Sequence, residues 1–145
     1  MPDMDMQTSF APGLATLHPD TTTQAFWDAA RDRQLVYPQC ASCATPRMPP
    51  AAVCPSCGSG PLVWKNAGGL ATVYTYTISR HSFHNAVDDF LPYVIAVVEL
   101  DDVPIRLITN IVSVDPDDVY IGMPVEVVWD EPEPGVVIPR FQPRV

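Results

Sequence analysis

Hydrophobic and polar positions divide the chain into three textures. Residues 1–20 mix small, polar and proline residues without a sustained period and read as a loose leader. In residues 21–37, Phe26 and Ala30 are four apart, as are Ala29 and Arg33, and no proline interrupts until Pro38. This spacing predicts an amphipathic helix over Thr21–Leu35, about three to four turns, with Thr22 or Thr23 as N-cap. Residues 38–66 carry cysteines and prolines with little apolar period.

From Leu62 the pattern changes to strands. Leu62–Lys65 is short, and Leu70–Ser79 alternates, with Tyr74, Tyr76 and Ile78 expected on one face and Val73, Thr75 and Thr77 on the other. Pro92–Leu100 is nearly continuous in apolar residues, as in a strand covered on both faces. The pair Asp101-Asp102 marks a turn into Ile105–Val112, Asp115–Gly122 reads as a short helical turn closed by glycine, and Val125–Trp129 and Val136–Phe141 are the last strands. Residues 67–145 therefore suit a five-stranded OB-type barrel, with an antiparallel sandwich of the same strand count as the alternative. The fold class is mainly β: an N-terminal helix, a four-cysteine segment, then the barrel.

Composition narrows the chemistry. Seventeen acids against eight bases give a net charge of −9, which repels phosphate backbones and weighs against nucleic-acid binding. Ten of those acids lie between Glu99 and Glu133, against the single base Arg106. No run of apolar residues is long enough for a membrane span, and the acidic start Met1-Pro-Asp-Met-Asp lacks the apolar stretch of a secretory signal. The reading is a cytoplasmic protein.

The four cysteines form Cys40-Ala-Ser-Cys43 and Cys54-Pro-Ser-Cys57-Gly. Two residues between thiols let a tight turn aim both sulfurs, and two such turns complete a tetrahedron. Structural zinc is the reading; iron in a rubredoxin-like site, redox thiols and disulfides are the rivals. Four thiolates leave no open position for water, which argues against a catalytic metal. Elsewhere, catalytic patterns are thin. His81 and His84 bracket Ser82 and Phe83 near Asp88-Asp89, either a ligand or second-metal cluster or, more simply, a solvated loop; His18 lies in the leader. No nucleophile elbow and no glycine-rich phosphate loop is present.

The order of parts then carries a resemblance. Phe26-Trp-Asp, Leu35, the four cysteines with Pro50 and Pro55, Gly69 with Val73-Tyr74 and Thr77, Pro92-Tyr93, Val98-Glu99-Leu100, Ile121-Gly122-Met-Pro-Val125 and Pro139-Arg-Phe141 together resemble the zinc-ribbon/OB-fold family known as domain-of-unknown-function thirty-five. The match runs from about Phe26 to the end. Where the family pattern has a small residue or glycine late in the third barrel strand, this chain has Thr109-Asn110.

The resemblance implies a non-catalytic accessory subunit of a thiolase-superfamily enzyme (a thiolase or a steroid side-chain aldolase) acting on acyl-CoA, with structural zinc and a two-plus-two heterotetramer. On that picture Phe26, Trp27, Arg31, Arg33, Arg47, Arg80, His81, Phe83 and Phe90 are the candidate contacts to partner or acyl-CoA. Self-packing is the alternative for Phe26 and Trp27, and barrel capping for Phe83 and Phe90. The rival functions are a nucleic-acid-binding zinc-ribbon/OB module, a free-standing acyl-CoA-binding protein or enzyme using His81 and His84, and a rubredoxin-like electron carrier.

Overall fold

The computed structural model describes residues 17–144, so most of the expected leader, residues 1–16, lies outside the described residues. One helix, α1 (Gln24–Arg31), precedes a two-stranded hairpin of β1 (Val36–Cys40) and β2 (Leu62–Asn66). A closed barrel follows: β3 (Leu70–Ser79), β4 (Tyr93–Leu100), β5 (Arg106–Ile111), β6 (Pro124–Glu133) and β7 (Val136–Pro143). Around the barrel the order is β3-β4-β5-β7-β6, and β6 closes back on β3. All pairings are antiparallel except β5 with β7. This is the OB-type Greek-key barrel that the strand pattern predicts. Among the described residues no helix is long and apolar enough to cross a membrane.

The helix is shorter than its pattern suggested. It spans eight residues because Arg33 takes a left-handed conformation at φ +56°. The Arg33 and Gln34 amides then donate to the Ala30 and Ala29 carbonyls at 2.9 and 3.0 Å, a Schellman closure that usually uses glycine. With no glycine there, the apolar period runs on to Leu35 without a visible stop. The N-terminal cap also differs. Thr23 is the N-cap residue, but its hydroxyl bonds back to Asp20 rather than into the helix, and the Asp20 carboxylate accepts the Thr22 and Thr23 amides at 2.9 and 3.0 Å.

Two strands depart from the expected faces. A bulge between Val73 and Thr75 shifts the β3 register against β4. Ala71 and Val73 point inward before it, while Tyr76 and Ile78 pack on the core after it, and Tyr74 turns out to solvent at 49 % exposure. A bulge reverses which parity faces the core, and strict alternation cannot express that. In β4, Val94, Ala96, Val98 and Leu100 are buried while Ile95 is exposed, so one face is covered rather than both.

The core is continuous across the modules. Phe141, Val98, Val125 and Ala71 are fully buried in the barrel, and Phe26, Leu35 and Val36 join the same cluster from the helix and β1. Gly69, at φ +81°, lets its carbonyl take the Val127 amide at 2.8 Å; a Cβ there would sit 2.8 Å from Val127 Cγ1.

The parallel seam explains Thr109-Asn110. β5 and β7 share one register pair, Ile111 with Phe141, and Pro139 has no N–H to give. Side chains join the strands instead. The Thr109 hydroxyl donates to the Pro139 carbonyl at 3.1 Å, and Asn110 donates to the Val94 carbonyl at 2.7 Å while accepting from Arg140. Arg140 also pairs with the buried Asp130 at 3.3 Å. Burial pulls the Arg140 guanidinium below its ordinary value, opposed by the Asp130 charge.

Candidate metal centre and its surroundings

The cysteines lie on two matching knuckles. β1 delivers Cys40 to the first, and the loop before β2 carries the second. The Ala44 amide donates to the Cys40 carbonyl at 2.9 Å, and the Gly58 amide donates to the Cys54 carbonyl at 2.8 Å. Both following residues are left-handed, Ala44 at φ +63° and Gly58 at φ +77°, a conformation that glycine adopts without strain. Further in, the Ser42 and Ser56 amides point at Cys40 Sγ and Cys54 Sγ, each at 3.4 Å. The Ser42 hydroxyl bridges to that of Ser59 at 2.9 Å and ties the knuckles together.

All four sulfurs lie within 4.8 Å of one another. Cys40 and Cys57 are 3.5 Å apart and Cys43 and Cys54 are 3.6 Å apart. A tetrahedron with metal–sulfur bonds of about 2.3 Å has edges of about 3.8 Å, so the donor set fits one ion. The amides of Cys43 and Ser42 lower the Cys40 thiol to about 6, and those of Cys57 and Ser56 lower Cys54. At Cys57 the Ser59 amide favours the thiolate, but the sulfurs of Cys40 and Cys43 outweigh it and push the thiol up to about 11. A bound cation removes that mutual opposition and displaces the protons. Cys40 and Cys54 are buried, and Cys43 and Cys57 are exposed.

Arg47 serves the same ribbon. It is buried, and its Nη1 and Nη2 donate to the Ser59 and Gly60 carbonyls at 3.1 and 2.9 Å. The other candidate contacts are dispersed. Phe26 is buried in the chain's own core and meets Trp27 edge to face at 5.0 Å. The burial of Phe26 and Arg47 directs both side chains to the fold. Trp27 is partly buried. Arg33 pairs with Glu131 at 3.0 Å, Arg80 with Asp117 at 2.7 Å, and Arg31 with Asp28 at 3.7 Å.

Phe83 is 73 % exposed, beside exposed His81, while Phe90 is partly buried. His84 accepts the Ala86 amide at 3.1 Å and caps a 3-10 turn, Asn85–Phe90. Among the described residues the cysteines are the one metal-ligating cluster, so His81, His84, Asp88 and Asp89 do not assemble as a second.

Sequence reasoning missed a groove of about 340 Å³ where the three modules meet. Phe26 and Trp27 from α1, Met48 and Pro49 from the ribbon, and Ile108 and Pro139 from the seam line it. Its two arginines are both paired, Arg140 with Asp130 and Arg106 with Glu99, and Arg106 stacks on Tyr74 at 3.7 Å. Ile108 at its edge is 81 % exposed. Register alone places Ile108 on the outer face of β5; only the structure sets it beside residues from the helix and the ribbon.

A tetrathiolate knuckle pair mounted through a shared core on an OB barrel defines the class of protein. The comparisons agree with it. Residues 27–63 match the model of the ChsH2 rubredoxin-like zinc ribbon domain, and residues 64–130 match that of the ChsH2 C-terminal OB-fold domain. A DUF35 domain-containing scaffold protein of Methanocaldococcus jannaschii is 34 % identical over 122 residues, covering 81 % of this chain and 83 % of that protein. The chain belongs to this ChsH2/DUF35 family.

A probable enoyl-CoA hydratase alpha subunit of Thermomonospora curvata is 44 % identical over 122 residues, 83 % of this chain, and the chain spans 37 % of that protein's length. Among solved structures, the Ltp2-ChsH2(DUF35) aldolase contains a chain matched over its full length, with 39 % identity, 90 % of this chain covered and a TM-score of 0.82. A DUF35 protein of Sulfolobus solfataricus, 16 % identical with 86 % of each chain covered and a TM-score of 0.61, shares the fold.

Proposed function

We propose that this chain is the non-catalytic subunit of a thiolase-superfamily enzyme acting on acyl-CoA in lipid, steroid or aromatic degradation. It holds a structural zinc ion at Cys40, Cys43, Cys54 and Cys57 and assembles with its partner two plus two. The partner carries the catalytic residues, and this subunit helps shape the acyl-CoA path. The observation that carries the reading is the full-length match to a chain of the Ltp2-ChsH2(DUF35) aldolase. The description of the matched family as a zinc ribbon supports zinc over iron; the four sulfurs themselves suit either ion.

Trp27 and Phe83 are the proposed anchors. Each is an aromatic side chain with accessible surface, and such residues dominate protein interfaces. Co-expression with a thiolase-like protein from the same genome, followed by native mass spectrometry, tests the reading. A two-plus-two complex with zinc on each small subunit is the expected result. Trp27→Ala and Phe83→Ala should keep their metal and lose complex. Undiminished complex in both variants removes the anchors, and no complex with the unaltered chain removes the reading.

A further inference from the structure

Six of the seven arginines are ion-paired: Arg31, Arg33, Arg80, Arg106, Arg140 and Arg144. Arg47 is the exception among the described residues. It is 4 % exposed, its Nη atoms face neutral carbonyls, and its Nε has no partner. A buried cation without an anion is a penalty that folded proteins rarely carry.

A metal bound at the four cysteines would offer that anion. Four thiolates around a divalent ion leave two uncompensated negative charges. Arg47 is bonded into the shell of that centre. The Ser59 carbonyl that accepts Arg47 Nη1 at 3.1 Å also accepts the Cys54 amide at 2.8 Å. Its own amide donates to the Pro38 carbonyl at 2.8 Å, two residues before Cys40. One residue therefore spans the strand that presents the first knuckle and the loop that closes the second.

We infer that Arg47 is the internal counter-ion of the tetrathiolate and, through the Ser59 carbonyl, a positioning residue for its second knuckle. It holds the ion by balancing charge as well as by fixing geometry. The inference rests on the reading of Cys40, Cys43, Cys54 and Cys57 as one metal site, and it holds for zinc or iron.

The test is metal release from the full chain to a chromophoric chelator, with metal content and near-ultraviolet circular dichroism recorded on the same samples. Removing an outer-shell partner typically costs about 10- to 100-fold in metal affinity. Arg47→Met should release metal about 10- to 100-fold faster with the barrel signal unchanged, whereas Arg47→Lys, which keeps the charge but not the planar fork, should stay within about threefold of the unaltered chain. If Arg47→Met does not take up metal, retention by Arg47→Lys still supports the inference. Release from Arg47→Met at the unaltered rate, or from Arg47→Lys as fast as from Arg47→Met, overturns the counter-ion role. An unaltered chain that binds no metal overturns the site reading itself.

Discussion

At the scale of residues, polar side chains do work that the hydrophobic pattern did not announce. Asp130, Arg140, Asn110 and Thr109 tie β5 to β7 where Pro139 interrupts the backbone ladder. The sequence showed Thr109-Asn110 only as a departure from the family pattern and Arg140 only as part of the Pro139-Arg-Phe141 motif, and Asp130 did not stand out. Their signal is tertiary, because the partners come from three strands and no local spacing records that. Asp130 is buried, so Asp130→Asn should leave Arg140 facing a neutral group in a largely buried setting. Breaking such a pair costs about 3–5 kcal/mol, read as a lowered urea midpoint at unchanged slope. An unchanged midpoint would contradict the role of this pair. The metal ligands, by contrast, were fully legible, because four sulfurs at knuckle spacing encode their geometry within one short segment.

Among the elements, the strands were legible and their ends and faces were less so. Apolar runs and turn signals located every barrel strand, yet period two failed at Tyr74, where one inserted residue exchanges inward and outward positions. The helix end was hidden by the left-handed Arg33. That same residue ties the helix to the β6–β7 hairpin through Glu131 at 3.0 Å. The Gly135 amide and Arg33 hold the Glu131 carboxyl below its usual range. A lowered carboxylate contributes stability above its ordinary pKa and loses it as pH falls through the lowered value. The melting-temperature difference between the unaltered chain and Glu131→Gln should therefore be present at neutral pH and vanish in acid; a difference that persists or grows in acid would contradict the pairing.

The ribbon gives a second test at this scale. Its knuckles bury little apart from Cys40, Cys54 and Arg47, so a metal bound there would supply its folding energy. Chelation should raise amide exchange across residues 41–61 while β3–β7 stay protected. Unchanged exchange in the knuckles would deny the metal that role.

For the molecule as a whole, the barrel, hairpin and helix share one core, so the ribbon is rigidly mounted rather than tethered. The groove beneath Trp27 exists only because the three modules meet there, which is why no reading of single segments could find it. On the proposed function, this scaffold serves chemistry performed by another chain. The direct measurement is turnover of an acyl-CoA thioester by three samples: this chain loaded with zinc, the thiolase-like partner alone, and the two together. The account predicts no turnover by this chain and full activity only in the complex. Enzymatic turnover by this chain alone would contradict it.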